Sequence, residues 1–254
     1  MTNETLTDRL PAAVPLWREG LAVVEWGLLR YSPVYWGVGV PRGDGSAVIP
    51  IPGFTGTDGY LYEMRGWLRR IGYHPFSSGI GRNADCLDLL SQRLLETIRA
   101  AADETGRTVH LVGHSLGGVL ARGVATIEPS LVASVVTMGS PIRGVRSHPL
   151  VLRVGEAVRD RIQDDRSGAV HPECFGGECD CAFMAATSEP FPESVPELAV
   201  FTRQDGVVAW RYSRHSVPHK DAEVIGTHSG LAFNPAAYRA IADFLARTGT
   251  SPLR

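Results

Sequence analysis

Ser115 stands in Gly113-His114-Ser115-Leu116-Gly117-Gly118, a run of the form G-x-S-x-G. It lies between an apolar run, Thr108 to Val112, and a segment of helical character, Leu116 to Ile127. Strand, sharp turn and helix are the context that gives this motif a chemical meaning. On such a turn the serine hydroxyl is exposed at strained backbone angles. A side chain two positions before or after it would collide with neighbouring backbone, which is why Gly113 and Gly117 are wanted. The helix that begins at Leu116 aims its dipole and its free N–H groups at any negative charge that develops beside the serine. The chemistry this suits is nucleophilic attack on an acyl carbon.

A serine hydroxyl needs a base to become a useful nucleophile. Of eight histidines, His114 adjoins the serine and is read as support for the turn, and His110 lies inside the strand. His74, His148, His171, His215 and His219 follow no strand in a position that faces the turn. His228 does, after Ala222 to Thr227 and before the last helix, so it falls at the carboxyl edge of a sheet, where sites of open α/β sheets lie. The imidazole in turn needs an acid to fix its tautomer and stabilise its charge. Asp205, in Thr202-Arg203-Gln204-Asp205-Gly206 after the strand Leu198–Thr202, is the first choice, and Asp221 and Glu223 are the fallbacks. Plainer roles are a turn aspartate before Gly206 and a structural histidine at 228. Acyl transfer also needs donors for the oxyanion. One is the backbone N–H of Leu116. The second is assigned to the loop Pro52-Gly53-Phe54-Thr55-Gly56, at the N–H of Phe54 with Thr55 as the alternate.

The elements that must position these groups alternate along the chain. Residues 1–12 read as a loose tail. An N-terminal helical arm at about 13–31 carries Val14, Trp17, Leu21, Val24 and Leu28 at steps of three and four. This stripe is expected to pack on the domain, with a membrane-surface or dimer contact as the alternative. Strands are predicted at 47–51, 72–76, 108–112, 131–138, 198–202 and 222–225, and helices at 61–71, 84–104, 116–127 and 235–247. Strands alternating with helices imply a parallel sheet with helices on both faces, the α/β class. Residues 1–254 read as one domain, with a short lid-like insertion at about 142–197 that holds one helix near 150–163.

The chain has 254 residues, 25 Lys plus Arg against 27 Asp plus Glu, and a net charge of −2. This balance argues against an electrostatic nucleic-acid binder. Hydrophobic residues at 44% and charged residues at 20% argue for a packed core and against disorder. No repeat or heptad period is present. The start MTNETLTDRLP has acids where a secretory signal would carry Lys or Arg, and Ala12 to Trp36 is interrupted by charges and prolines, so a soluble, cytoplasmic protein without a transmembrane segment is expected. The four cysteines are Cys86, Cys174, Cys179 and Cys181, three of them clustered after His171. The cluster admits a disulfide (Cys174–Cys179, or one that reaches Cys86), a structural metal, or unpaired thiols. No metal or cofactor is assigned to the mechanism. Pro190-Phe191-Pro192 reads as packing more readily than as pocket lining.

Six blocks carry a family resemblance: GDGSAVIPIPGFTGTDGYL (43–61), GIGRNADC (79–86), VHLVGHSLGGVLAR (109–122), VVTMGSPIRG (135–144), VFTRQDGVVAW (200–210) and EVIGTHSGLAFNPAAYRAIADFLA (223–246). In their order and type they resemble the α/β-hydrolase superfamily, in particular small actinobacterial lipase- and esterase-like serine hydrolases. The resemblance implies the α/β-hydrolase fold, with Ser115 as nucleophile, Asp205 as acid, His228 as base, and the amides of Phe54 and Leu116 as the oxyanion hole. It implies cleavage of carboxylic esters through an acyl-enzyme, with no cofactor. Acyl transfer and thioester or lactone cleavage use the same triad. A non-catalytic binding protein on this scaffold would have lost a triad member. Residues 142–197 depart from the pattern, being shorter and more polar than the lid of a large secreted lipase, which weighs against long-chain triglyceride.

Overall fold

The four inner strands form from runs buried on both sides, as the inner strands of a parallel sheet must be, while the two outermost strands are short and partly exposed. In the computed structural model, which describes residues 14–143, 149–165, 181–216 and 220–253, the strands are β1 (Ala47–Ile51), β2 (His74–Pro75), β3 (Val109–His114), β4 (Val132–Met138), β5 (Glu197–Phe201) and β6 (Asp221–Glu223). Their order across one sheet is β2-β1-β3-β4-β5-β6, and every pairing is parallel. The strand count, positions and direction follow the sequence expectation. β3 runs two residues beyond it, because His114 still pairs with Met138 of β4.

The helices are α1 (Ala22–Tyr31), α2 (Tyr62–Arg70), α3 (Leu87–Thr105), α4 (Leu116–Ile127), α5 (Pro149–Asp165), α6 (Ala182–Ser188) and α7 (Pro235–Thr248). Met64, Trp67 and Leu68 of α2 and Tyr238, Ile241 and Leu245 of α7 pack on one face of the sheet against Val112, Val136 and Val200. On the other face Leu90, Leu94 and Ile98 of α3 and Leu120 and Val124 of α4 meet Ile49, Leu111 and Val135. α7 opens on a cap built into the sequence: the Asn234 side chain accepts from the amides of Ala236 and Ala237, and Pro235 takes the first helical position. α5 lies where one helix of the insertion is expected. α6 was not expected; its Phe183 is fully buried over Gly123 of α4, where any larger side chain would run into the ring. Phe191 packs against the same core, under the Arg122 guanidinium, which fits the packing role.

The N-terminal arm differs from expectation in the side it turns inward. Leu16–Leu21 is a 3-10 turn, and the α-helix starts only at Ala22. Trp17 is 74% exposed, Val24 57% and Leu28 61%, so the predicted apolar stripe faces solvent. The inward side holds Leu29, fully buried, together with Glu19 and Glu25. Polar bonds fasten the arm. Trp26 Nε1 and Arg30 donate to Glu63 of α2 at 2.9 and 2.8 Å, and the Tyr35 hydroxyl donates to the same carboxylate. A three-and-four spacing shows that a face exists; what that face meets is settled by the partners of the opposite side. The change from 3.0 to 3.6 residues per turn at residue 21 also breaks the stripe that the sequence drew as one.

Candidate active site

β3 gives way to α4 through a single residue, Ser115, at φ 52° and ψ −123°. A non-glycine residue in this region carries strain of about 1–3 kcal/mol and is held there only by its surroundings. Those are the Ser115 N–H, which donates to Met138 O at 2.8 Å, and the Gly118 N–H, which donates to Ser115 O at 3.0 Å. A Cβ at Gly113 would run into the backbone of Gly117 and Gly118, and one at Gly117 into the carbonyls of Ile51 and Pro52. Both glycines are therefore needed, for the steric reason the motif suggested.

Asp205 follows β5 and His228 follows β6, the two strands at one edge of the sheet. His228 Nδ1 and Asp205 Oδ2 are 2.7 Å apart, and both side chains are buried. The other oxygen, Oδ1, accepts the amides of Val207 at 2.9 Å and Val208 at 2.7 Å, which fixes the carboxylate plane. Burial pushes the His228 pKa down, but the Asp205 charge and hydrogen bond, aided by Glu19, outweigh it and hold the imidazole above its ordinary value. Gly139, at φ 60° just after β4, leaves the room this pair needs. A Cβ there would stand 3.0 Å from His228 Nδ1 and 3.2 Å from Asp205 Oδ2.

His114 serves the backbone of the candidate base. Its Nε2 lies 2.9 Å from His228 O, and against a carbonyl the ring nitrogen must donate. Burial pushes its pKa down to about 3, so it is neutral and its Nε2 proton is committed. The other histidines with described surroundings are engaged elsewhere. His110 meets Ser134, His74 is exposed near Glu104, and His215 sits between Glu197 and Asp221. His148, His171 and His219 lie outside the described residues. The fallback acids do not reach His228: Asp221 is tied to His215 and Arg214, and Glu223 to Arg203.

The loop after β1 comes up against the serine, where a Cβ at Gly53 would lie 3.0 Å from Ser115 Cβ and 3.0 Å from His114 Nδ1. Thr55, the alternate donor, is at φ 60° and spends its N–H on Asn83 O at 2.8 Å. The amides of Phe54 and Leu116 have no hydrogen-bond partner among the described residues. Asn83, fully buried, braces this loop: its N–H donates to Gly56 O at 2.8 Å and its side-chain amide to Pro52 O at 2.7 Å.

The two described cysteines, Cys86 and Cys181, lie at the start of α3 and of α6. Cys86 is buried at the N-cap of α3 and forms no disulfide among the described residues, and Cys181 precedes α6 and packs against the α3–α4 core. Cys174 and Cys179 lie outside the described residues. No group of three His, Cys, Asp or Glu that could hold a metal ion occurs among the described residues. No helix among them is long and apolar enough to cross a membrane.

Sequence reasoning missed Glu19, Glu25, Asn83 and Gly139. Asn83 lies inside the block 79–86 that carried the resemblance, and Gly139 follows the strand that neighbours the serine, so both had a positional signal. The two glutamates had none, because their partners are amides far away in the chain.

The family model of palmitoyl protein thioesterases matches residues 80–177. Two proteins named triacylglycerol lipase, from Pseudarthrobacter phenanthrenivorans and Burkholderia plantarii, are each 35% identical over 130 residues, which is 48% of this chain. The chain spans 39% and 34% of the length of these relatives. Among solved structures, a monoacylglycerol lipase from Paleococcus ferrophilus superposes with a TM-score of 0.56 at 16% identity, covering 83% of this chain and 97% of its own. Carboxylesterase CesB from Bacillus subtilis gives 0.52 at 14%, covering 90% of this chain and 99% of its own. What these structures share with the chain, across so little sequence identity, is the architecture and the order of its parts: the chain has the α/β-hydrolase fold.

Proposed function

We propose that the protein is a serine hydrolase that cleaves carboxylic esters through an acyl-enzyme. The observation that carries the reading is the buried Asp205–His228 pair, 2.7 Å long, at the carboxyl ends of the same parallel strands after which Ser115 stands at φ 52°. Ser115 Oγ attacks the acyl carbon while His228 takes its proton. Asp205 holds the Nδ1 proton and stabilises the imidazolium. The oxyanion is received by the amides of Phe54 and Leu116. The proton passes to the leaving alkoxide, and water, activated by the same imidazole, releases the acid.

The match to palmitoyl protein thioesterases over residues 80–177 favours a second leaving group, a thiolate, served by the same steps. A panel of nitrophenyl esters of increasing chain length, run beside acyl thioesters, separates the two. Ser115→Ala is expected to lower turnover by roughly three or more orders of magnitude. Labelling by a fluorophosphonate that persists in this variant would remove Ser115 from the role.

The relatives named triacylglycerol lipase make a water-insoluble ester a reasonable substrate. With Trp17, Val24 and Leu28 turned to solvent, we assign the outer face of the arm to contact with a lipid surface. Co-sedimentation with phosphatidylcholine vesicles that is lost in Trp17→Ser with Leu28→Ser supports this. Concentration-dependent dimers lost in the same variant would replace the lipid by a second copy.

A further inference from the structure

The arm does more than cover the domain. The Glu19 carboxylate reaches across to both loops that carry the candidate acid and base. Oε1 accepts the N–H of Gly206, the residue after Asp205, at 3.0 Å, and the N–H of His228 itself at 3.2 Å. Oε2 accepts the N–H of Ser229 at 2.7 Å. Three amides from two loops thus converge on one side chain brought by a third element. Glu25, six residues further along the arm, holds the next stretch. Its carboxylate accepts the Thr227 N–H at 2.8 Å and the Thr227 hydroxyl at 2.6 Å, and that hydroxyl accepts from the Gly230 N–H. The fit is close: a Cβ on Gly206 would stand 2.9 Å from Glu19 Oε1, and one on Gly226 2.7 Å from Glu25 Oε1.

We propose that Glu19 is a positioning residue for the triad, a carboxylate clasp from the N-terminal arm that sets the separation of the Asp205 and His228 loops, with Glu25 locking the approach to His228. This rests on the serine hydrolase reading above. Without the clasp the amides of residues 206, 228 and 229 would lose their acceptor, and the two loops would be joined chiefly by the Asp205–His228 bond and by the Thr202 hydroxyl, which donates to Gly226 O at 2.8 Å. The clasp is electrostatic as well as geometric. The charged or titratable groups that face His228 are Asp205 from the β5 loop, Glu19 from the arm and His114 from β3, with Tyr60 bound to the neighbouring Ser229 carbonyl. Burial lowers the His228 pKa, and Asp205 and Glu19 raise it.

The test compares Glu19→Gln, Glu25→Gln and Ser115→Ala on a short nitrophenyl ester, each with a melting curve and a kcat/KM profile against pH. Glu19→Gln puts an amide donor among three donors and removes the charge. It is expected to lower kcat at least tenfold with KM within threefold, and to move the acid limb to lower pH. Glu25→Gln is expected to lower kcat and leave the limb in place. A Glu19→Gln kcat within twofold of the parent, an unmoved limb, or an equal shift in Glu25→Gln overturns the clasp. If Ser115→Ala retains turnover, the hydrolase reading itself fails, whatever Glu19→Gln does. Should Glu19→Gln not fold, Gly206→Ala reads the same contact, because its methyl displaces the carboxylate and keeps the charge. Slower fluorophosphonate labelling supports the clasp and an unchanged rate overturns it.

Discussion

Replacing Asp205 by asparagine probes the site through the hydrogen bonds that already fix its carboxylate. Oδ1 accepts two backbone amides, those of Val207 and Val208, at 2.9 and 2.7 Å. In the variant the amide oxygen must take that place, since an NH2 there would face two donors. The NH2 is then forced toward His228 Nδ1, now 2.7 Å from an oxygen. It can only donate, so Nδ1 must accept, and the ring proton moves to Nε2. The imidazole is left with a proton where it should receive one from the serine. The negative charge that stabilises the imidazolium is lost as well. The expected cost is about 10⁴-fold in turnover at neutral pH, by analogy with the same exchange in serine proteases, or about 5.4 kcal/mol of activation free energy. The fold should survive, because both amides keep an acceptor. The assay is kcat on a nitrophenyl ester, beside Asp221→Asn and Glu223→Gln, whose carboxylates serve His215 with Arg214 and Arg203 respectively and should cost a few-fold at most. An Asp205→Asn enzyme within tenfold of the parent refutes the orientation argument. Collapse in either of the others would put the acid beside the base on β6.

Three further outcomes can be measured. The imidazole must be neutral to act as base, and its pKa is held above the ordinary value of 6.5, so kcat/KM should fall as pH drops through a midpoint above 6.5; a midpoint at or below that value contradicts it. Gly139→Ala puts a methyl 3.0 Å from His228 Nδ1 at a positive φ, and should cost about 1 kcal/mol or more of stability and at least tenfold in kcat, read by denaturant titration and steady-state kinetics. Thiol titration of the denatured, unreduced protein decides the cysteine cluster: a disulfide gives two free thiols, and four free thiols remove it.

The parts of this protein that are legible from sequence are those whose physics is local. The serine turn needs a glycine at 113 because the backbone of Gly117 and Gly118 lies against it, so that steric cause sits inside the motif, whereas the carbonyls that exclude a side chain at 117 come from Ile51 and Pro52. The strands are readable because a parallel sheet buried on both faces demands short apolar runs, and Ala47–Ile51 and Val132–Met138 are such runs. Asp205 and His228 could be placed after their strands because chain order and the carboxyl edge of a parallel sheet leave few positions for an acid and a base. The arm is the opposite case. Its spacing is helical, yet the stripe that looked like core faces solvent, and its two glutamates, ordinary surface residues by type, turn toward the site. No local signal distinguishes a glutamate bound to water from one bound to three amides some 190–210 positions away. The same holds for the crowding at Gly139, whose missing side chain leaves room for Asp205 and His228 because β5 and β6 bring them over it. Burial and partner choice of this kind are properties of the assembled sheet, where groups distant in the chain come within 3 Å. Only the tertiary structure decides them.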